Sequence, residues 1–202
     1  MKRKRDVRVA ELQTTMTATT PRPRLLGISG SLRKGSFNTA ILESLGAAVE
    51  AHASLQILPL NDLPLYDQDA DTATPPEPVA RLRAAIAAAD GLVIASPEYN
   101  HSISGVLKNA LDWASRPFGQ STLSGKPVLT LTSSTAFTGG VRAQAQLNEV
   151  LTSIAARLVH RPQSVVGSAH QKIVDGRLVD EATLDYLQDG IDDLLRLIPS
   201  PG

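Results

Sequence analysis

A short polar run at Gly30–Asn38 has the residue types that hold a phosphate group. It directly follows an apolar pattern at Leu25–Ile28, typical of a buried strand, and it continues into a helical pattern. Glycine lets the backbone come close to an anion, and the free N–H groups at a helix start point toward it. Ser31 and Ser36 add hydroxyl donors, and Arg33 can add a charge-assisted hydrogen bond. The run therefore predicts a binding loop for a terminal phosphate monoester.

Two common phosphate motifs do not fit this run. The Walker loop requires lysine directly after its second glycine, but Ser36 follows Gly35 and Lys34 precedes it. The dinucleotide fingerprint Gly-x-Gly-x-x-Gly does not fit either, because Gly27, Gly30 and Gly35 have a different spacing. A nucleotide triphosphatase is thus disfavoured. An ordinary strand-to-helix turn with Ser36 as the helix cap remains open as an alternative.

Two further loops are predicted at the same edge of a sheet. Pro97–Asn100 follows the buried strand pattern Leu92–Ala95, and Thr132–Ser134 follows another strand pattern. Because parallel strands end at one edge, all three loops can surround one crevice. The proline stiffens the second loop, its tyrosine offers a flat face, and Gly139–Gly140 would let a flat ring come close to the third loop. In the competing interpretation, the tyrosine covers the edge of the core, and Asn100 or the nearby Ser102 caps a helix.

From Leu25 onward, strand and helix patterns alternate, which indicates an α/β domain with a parallel sheet and helices on both faces. The predicted strands are Leu25–Ile28, Leu55–Leu58, Gly91–Ala95, Pro127–Leu131 and a weaker fifth strand that contains Val165–Val166. The apolar stripe of the fourth helix is predicted to run from Leu147 to Leu158, and Asp175–Gly176 predicts a tight hairpin turn. Met1–Arg24 shows neither a helical nor an alternating apolar period, so we expect it to be a disordered tail. A single domain would follow at residues 25–202.

The composition narrows the functional class. Lysine plus arginine and aspartate plus glutamate each number 20, so the formal net charge is zero, which argues against a nucleic-acid or anionic-membrane partner. The chain has no cysteine, which excludes disulfides, thiolate nucleophiles and cysteine-based metal sites. It also has no apolar stretch as long as a membrane span, and its basic start lacks the apolar segment of a secretory signal. We therefore expect a cytoplasmic protein.

Three motifs in this order resemble the NADPH-dependent FMN reductase family. They are Gly30–Asn38, Pro97–Asn100 and Leu107–Trp113, the last of which reads Leu-Lys-Asn-Ala-Leu-Asp-Trp. Asp62–Asp67 and Gly125–Val128 extend the similarity, which is strongest to the bacterial branch of chromate reductases, quinone reductases and azoreductases. The resemblance implies a flavodoxin-like three-layer sandwich with a five-stranded parallel sheet of order 2-1-3-4-5. It also implies a homodimer or homotetramer.

The resemblance also implies which residues bind the cofactor, FMN. Its phosphate and ribityl chain would lie on the first loop, the edge of its isoalloxazine ring on the second, and its other side against the third. The implied cofactor-binding residues are Ser31, Arg33, Gly35, Ser36, Phe37 and Asn38 in the first loop, Pro97, Glu98, Tyr99 and Asn100 in the second, and Ser133, Gly139 and Gly140 in the third. The resemblance implies neither a catalytic side chain nor a metal ligand.

The implied activity is NAD(P)H-dependent reduction of a small-molecule electron acceptor, which would be a quinone, chromate, an azo compound or free flavin. A hydride from NADPH or NADH would reach the flavin and pass to the acceptor at the same face, which predicts ping-pong kinetics. A non-catalytic FMN electron carrier of the flavodoxin type remains an alternative, as does a phosphate-binding or scaffold protein without flavin. His101 stands where relatives often have an aromatic residue, so it is either a proton donor to a quinone or a surface residue. Arg142 follows the third loop and would contact the nicotinamide nucleotide, a second subunit or solvent.

Overall fold

A computed structural model describes residues 22–199 of this chain. The strands are β1 (Arg24–Ser29), β2 (Ser54–Leu58), β3 (Gly91–Ser96), β4 (Pro127–Ser133), β5 (Arg157–Leu158), β6 (Val165–Val166), β7 (Ile173–Val174) and β8 (Arg177–Leu178). The helices are α1 (Phe37–Val49), α2 (Glu77–Ala88), α3 (Gly105–Ala114), α4 (Val141–Ser153), α5 (Ala169–Lys172) and α6 (Glu181–Leu197), with a short 3₁₀ turn at Gln68–Ala70. The expected disordered tail lies outside the described residues, except for residues 22–24, of which Arg24 already opens β1.

The central sheet has the order β2-β1-β3-β4-β5, and its strands pair in parallel. Every residue of β3 and β4 is buried, because helices cover both faces of these central strands. One face packs on α2, α3 and α4, with Ile86, Leu107 and Leu147 in its core. The other face packs on α1 and α6, with Ile41 and Ile191 in its core. The predicted three-layer sandwich and its strand order are confirmed.

The fifth position of the sheet is more divided than the sequence predicts. Two short strands share it, since β5 pairs with the beginning of β4, and β6, the predicted fifth strand, pairs with its end. Helix α4 ends at Ser153, so Leu158 belongs to β5 and not to the helical stripe. The physical reason is Ala155, which adopts a φ of +63° just after the helix and so ends it. Glycine usually occupies such a left-handed position, so an alanine carries no stop signal.

The long connection between β2 and α2 is held in place by α3. The Asn109 side chain accepts a hydrogen bond from the Tyr66 N–H at 2.7 Å and donates one to the Pro64 carbonyl at 2.8 Å. The indole N–H of the fully buried Trp113 donates to the same carbonyl at 2.9 Å, and its ring meets that of Tyr66 edge-on, with centroids 4.9 Å apart. The motif Leu107–Trp113 therefore positions this connection.

Helix α6 begins with a titratable cap. Asp180 Oδ1 accepts hydrogen bonds from the hydroxyl and the N–H of Thr183, and the Lys172 ammonium lies 3.4 Å away. The hydrogen bond from the Thr183 hydroxyl is the largest cause that holds the pKa of Asp180 below its ordinary value of 3.8. Because the folded-state pKa is lowered, the resulting stabilisation is present above 3.8 and is lost as the pH falls through the folded-state value.

This cap predicts a pH effect on stability. Asp180→Asn keeps an acceptor oxygen for the Thr183 N–H but cannot titrate. Its urea midpoint is expected to fall less than that of the parent protein when the pH is lowered from about 5 to about 3. Urea unfolding of both proteins at the two pH values measures this difference, and equal losses would contradict the role of the Asp180 charge.

Candidate active site

A crevice of about 460 Å³ opens at the C-terminal ends of β1, β3 and β4. The three predicted loops surround it, because each loop follows one of these parallel strands. The lining residues are Ser31, Arg33, Ser36, Phe37 and Asn38 from the first loop, Pro97, Glu98 and Tyr99 from the second, and Ser133, Ser134 and Thr135 from the third. All except Ser134 and Thr135 are among the predicted cofactor-binding residues. The sequence therefore predicts most of the lining of one crevice.

The first loop ends at the N-terminus of α1, where Ser36 is the helix cap. Its side-chain oxygen accepts the Thr39 N–H at 3.3 Å, and the Thr39 hydroxyl donates to Ser29 Oγ at 2.9 Å. The predicted cap at Ser36 is thus confirmed, and it leaves the N–H groups of Phe37 and Asn38 for an anion. The first turn of α1 contains no acidic residue, so the positive end of the helix dipole is not neutralised there. Both the cap and a phosphate can therefore be accommodated at this helix start.

Arg33 contributes a positive charge to the same loop. Its guanidinium carbon lies 4.9 Å from the centre of the Phe37 ring, so the cation stacks on an aromatic face. Stacking leaves the guanidinium N–H donors available for an anion. Gly35 is exposed and does not line the crevice, and a Cβ there would come within 3.3 Å of Arg33 Nη1. Gly35 therefore makes room for the guanidinium group.

Two buried polar atoms at the crevice have no hydrogen-bond partner among the described residues. They are Asn38 Oδ1 and Ser133 Oγ, and each residue is only 3 % exposed. A buried polar atom without a partner costs about 1–3 kcal/mol, so such atoms often mark a ligand or an ordered water. They lie on the first and third loops, on either side of the crevice. The residues therefore fit a ligand that carries several hydroxyl groups and a phosphate, as FMN does.

The second loop is a tight hairpin. Tyr99 and Ser102 exchange two backbone hydrogen bonds of 3.0 Å. Asn100 and His101 between them have φ angles of +51° and +65°, the pair of positive values typical of a type I′ turn. Asn100 therefore forms the turn and does not line the crevice, whereas Pro97 and Tyr99 do. His101 is exposed at the tip, and neither Asn100 nor Ser102 caps the following helix.

Ser104, which sequence reasoning missed, joins the first two loops. Its hydroxyl donates to the Gly30 carbonyl at 2.6 Å, and its oxygen accepts the Leu107 N–H at 3.2 Å as the cap of α3. The Gly30 N–H donates to the Ala95 carbonyl at 2.8 Å. A Cβ on Gly30 would lie 3.0 Å from Ser104 Oγ and 3.3 Å from Pro97 Cδ, so glycine permits this close approach. The sequence does carry a signal for this cap, because a serine that stands three residues before the apolar Leu107 is a common helix start.

Gly139 and Gly140 shape the third loop without lining the crevice. Their φ angles are +65° and +88°, and Gly140 leads directly into α4. Gly139 packs backbone to backbone against Gly167, a second residue that sequence reasoning missed. A Cβ on Gly139 would lie 2.9 Å from Gly167 N, and a Cβ on Gly167 would lie 2.1 Å from the Phe137 carbonyl oxygen. This contact fixes residues 134–139, which supply part of the crevice wall.

The fold and the crevice together define a class of protein. A parallel sheet of order 2-1-3-4-5 with a crevice at the carboxyl ends of β1 and β3 is the flavodoxin-like arrangement, and proteins with this arrangement bind a mononucleotide where β1 and β3 lie side by side. Within residues 22–199, no group of three or more histidine, aspartate or glutamate side chains could hold a metal ion. In the same range, no helix combines the length and the apolar character needed to cross a membrane.

Known proteins with similar sequences and structures then identify the family. The family model for NADPH-dependent FMN reductase matches residues 23–171, so the chain belongs to this family. It is 40% identical over 166 residues to an NAD(P)H-dependent FMN reductase of Pseudomonas aeruginosa, over 82% of this chain and 89% of that protein. It is 40% identical over 168 residues to a quinone reductase of Escherichia coli K12, over 81% of this chain and 89% of that protein. FerB, a flavoenzyme NAD(P)H:acceptor oxidoreductase from Paracoccus denitrificans, has a TM-score of 0.78 and 33% identity over 87% of this chain and 97% of that chain. The protein is an oxidoreductase that uses FMN with NADPH or NADH.

Proposed function

We propose that this protein is an NAD(P)H:quinone oxidoreductase that binds FMN in the crevice at the C-terminal edge of its sheet. The observation that carries the proposal is the convergence of three loops on this crevice, with Asn38 Oδ1 and Ser133 Oγ buried there without partners. The quinone reductase of Escherichia coli supports a quinone as acceptor, since it matches most of this chain. Chromate, azo compounds and free flavin are further candidate acceptors for the same site.

The chain's own residues would bind and orient the reactants. When bound, FMN supplies the redox chemistry, because its ring can accept a hydride from NAD(P)H and can then reduce an acceptor. The first turn of α1, together with Ser31 and Arg33, would hold the phosphate. Asn38 and Ser133 would make hydrogen bonds to the ribityl hydroxyls, and Pro97–Tyr99 would lie along the ring edge. The exposed rim of the crevice would then leave one face of the ring open to NAD(P)H and to the acceptor in turn.

An electron carrier of the flavodoxin type is the second candidate. It would use the same crevice and the same cofactor, but it would exchange electrons with partner proteins. The formal net charge is zero, so the chain has no overall charge to attract a charged partner protein, and this favours the enzyme.

The proposal extends to assembly and location. We propose a homodimer or homotetramer, because Leu65 and Phe118 are 84 % and 89 % exposed, and large exposed apolar side chains often mark protein contacts. The guanidinium carbon of Arg116 lies 5.6 Å from the centre of the Tyr66 ring. The chain segments that carry Leu65 and Phe118 therefore lie side by side. The cysteine-free composition suits the reducing cytoplasm, where we propose that the enzyme works.

A visible spectrum of the purified protein with FMN tests the function. We expect flavin bands near ~450 nm that bleach on anaerobic addition of NADPH or NADH and return when a quinone is added. A bound flavin that neither nucleotide bleaches would support the carrier. A folded protein that binds no FMN would show that the crevice has been assigned wrongly.

A further inference from the structure

Helix α4 begins without a cap of its own. Gly140 occupies its N-cap position, and no side chain of the helix start accepts a backbone N–H there. The carboxylate of Glu98 fills this role from the second loop, because its Oε2 accepts the N–H groups of Arg142 at 3.0 Å and Ala143 at 3.1 Å. A negative charge at this end of a helix is favoured by the helix dipole.

Glu98 is also held firmly in this position. Its side chain is 12% exposed, and the Arg142 guanidinium Nη1 lies 3.8 Å from its other carboxylate oxygen. A Cβ on Gly140 would come within 3.4 Å of Glu98 Cβ, so the two loops approach closely here. The carboxylate is thus held at the start of α4 by three contacts.

A second contact fastens the same hairpin to α4. The Ser102 hydroxyl donates to Gln146 Oε1, about one turn further along the helix. The hairpin is closed by the paired backbone groups of Tyr99 and Ser102, so it is attached to α4 on both sides of its turn. The position of the second loop therefore depends on α4, a helix that begins 45 residues after the end of β3, counted from Ser96 to Val141.

We propose that Glu98 is a positioning residue that holds the Pro97–Tyr99 backbone and the start of α4 in the geometry that the FMN ring requires. This inference rests on the proposed function, since it concerns the same crevice. The carboxylate would act on the crevice indirectly, through its hydrogen bonds to the start of α4. Because Glu98 already neutralises the start of α4, this helix is closed to a second anion, and the phosphate is left to α1.

Two substitutions separate positioning from a general loss of structure. Glu98→Ala removes both acceptor contacts, whereas Glu98→Gln keeps an amide oxygen that can accept the same two N–H groups. Glu98→Ala is expected to raise the Kd for FMN by about tenfold to hundredfold, and Glu98→Gln is expected to stay within about threefold of the parent protein. Glu149→Ala, an exposed carboxylate of α4, is the matched control and is expected to leave the Kd unchanged.

Three measurements test these expectations. FMN titration gives Kd, the visible circular dichroism of the bound flavin reports the ring environment, and amide hydrogen exchange of the FMN-free protein reports the Arg142 and Ala143 N–H groups. We expect Glu98→Ala to accelerate exchange of those two amides and to alter the flavin signal, and Glu98→Gln to restore both. The amide exchange tests the Glu98 cap even without FMN.

The outcomes distinguish this inference from the proposed function. A parent protein that binds no FMN would overturn the function, while its amide exchange would still report on the cap. A parent protein that binds FMN, with Glu98→Ala retaining its affinity and flavin signal, would overturn the positioning role alone. If Glu98→Gln protected both amides but lost FMN as Glu98→Ala does, the charge itself would be required and the positioning role would also be wrong.

Discussion

The double variant Arg33→Ala/Ser36→Ala is expected to raise the Kd for FMN by about 100-fold. Arg33 offers a charged donor, for which a hydrogen bond contributes about 1.5–3 kcal/mol, and a neutral hydroxyl contributes about 0.5–1.5 kcal/mol. Both residues line the crevice beside the first turn of α1. Fluorescence titration of the apoprotein with FMN measures the change.

The controls for this variant address both affinity and folding. Arg177→Ala/Ser153→Ala removes the same residue types from surfaces outside the crevice, so its Kd is expected to match that of the parent. Ser36→Ala also removes the cap of α1, which costs about 1 kcal/mol, so urea unfolding must show that the double variant is still folded. An unchanged Kd in the folded double variant would contradict the assignment of the phosphate loop.

Gly167→Ala is expected to lower the free energy of unfolding by about 2–3 kcal/mol and to weaken FMN binding about tenfold. The added Cβ would lie 2.1 Å from the Phe137 carbonyl oxygen and 2.8 Å from its carbonyl carbon, and backbone atoms cannot rotate out of the way. The loop must therefore shift, and the hydrogen bond from the Ala169 N–H to the Ser134 carbonyl, 2.9 Å long, would stretch. Urea unfolding and FMN titration measure the two effects.

Gly105→Ala is the matched control for this substitution. Gly105 lies in the first turn of α3, and a Cβ there would meet nothing within 4 Å. Because alanine also favours a helix over glycine, we expect this variant to be at least as stable as the parent. If Gly167→Ala were equally stable and bound FMN equally well, the close packing of Gly139, Gly167 and Phe137 would not determine the shape of the third loop.

The parts of the fold with strong local signals were predictable from the sequence. The apolar run at Gly91–Ala95 matches β3 to within one residue, because a strand buried on both faces needs an uninterrupted run. Asp175 and Gly176 have φ angles of +48° and +75°, as expected for a two-residue hairpin with this residue pair. The position of the first loop at the crevice was predictable for a similar reason, because its glycines, its hydroxyl residues and its helix start all fall within Gly30–Asn38.

The parts that depend on distant contacts, or on turns formed by unusual residues, were not predictable in this way. Asn100 and His101 form the same kind of turn as Asp175–Gly176, but Asn-His is not one of the residue pairs that indicate it. The cap that Glu98 supplies to α4 joins residues 44 apart, and no local pattern records it. Ala155 ends α4 in a conformation that glycine usually takes, so the split at the fifth position of the sheet had no signal.

Because α3 contacts the β2–α2 connection, these two separate stretches of sequence must be treated as one unit in protein engineering. The amide of Asn109 and the indole of Trp113 bind backbone atoms of Pro64 and Tyr66, so they recognise the path of that chain segment. A chimaera that takes the connection from a relative but keeps its own α3 must preserve this path, or it buries donors that have no acceptor. Exchanging both stretches together transfers the contact intact and leaves the crevice loops free to be varied for new acceptors.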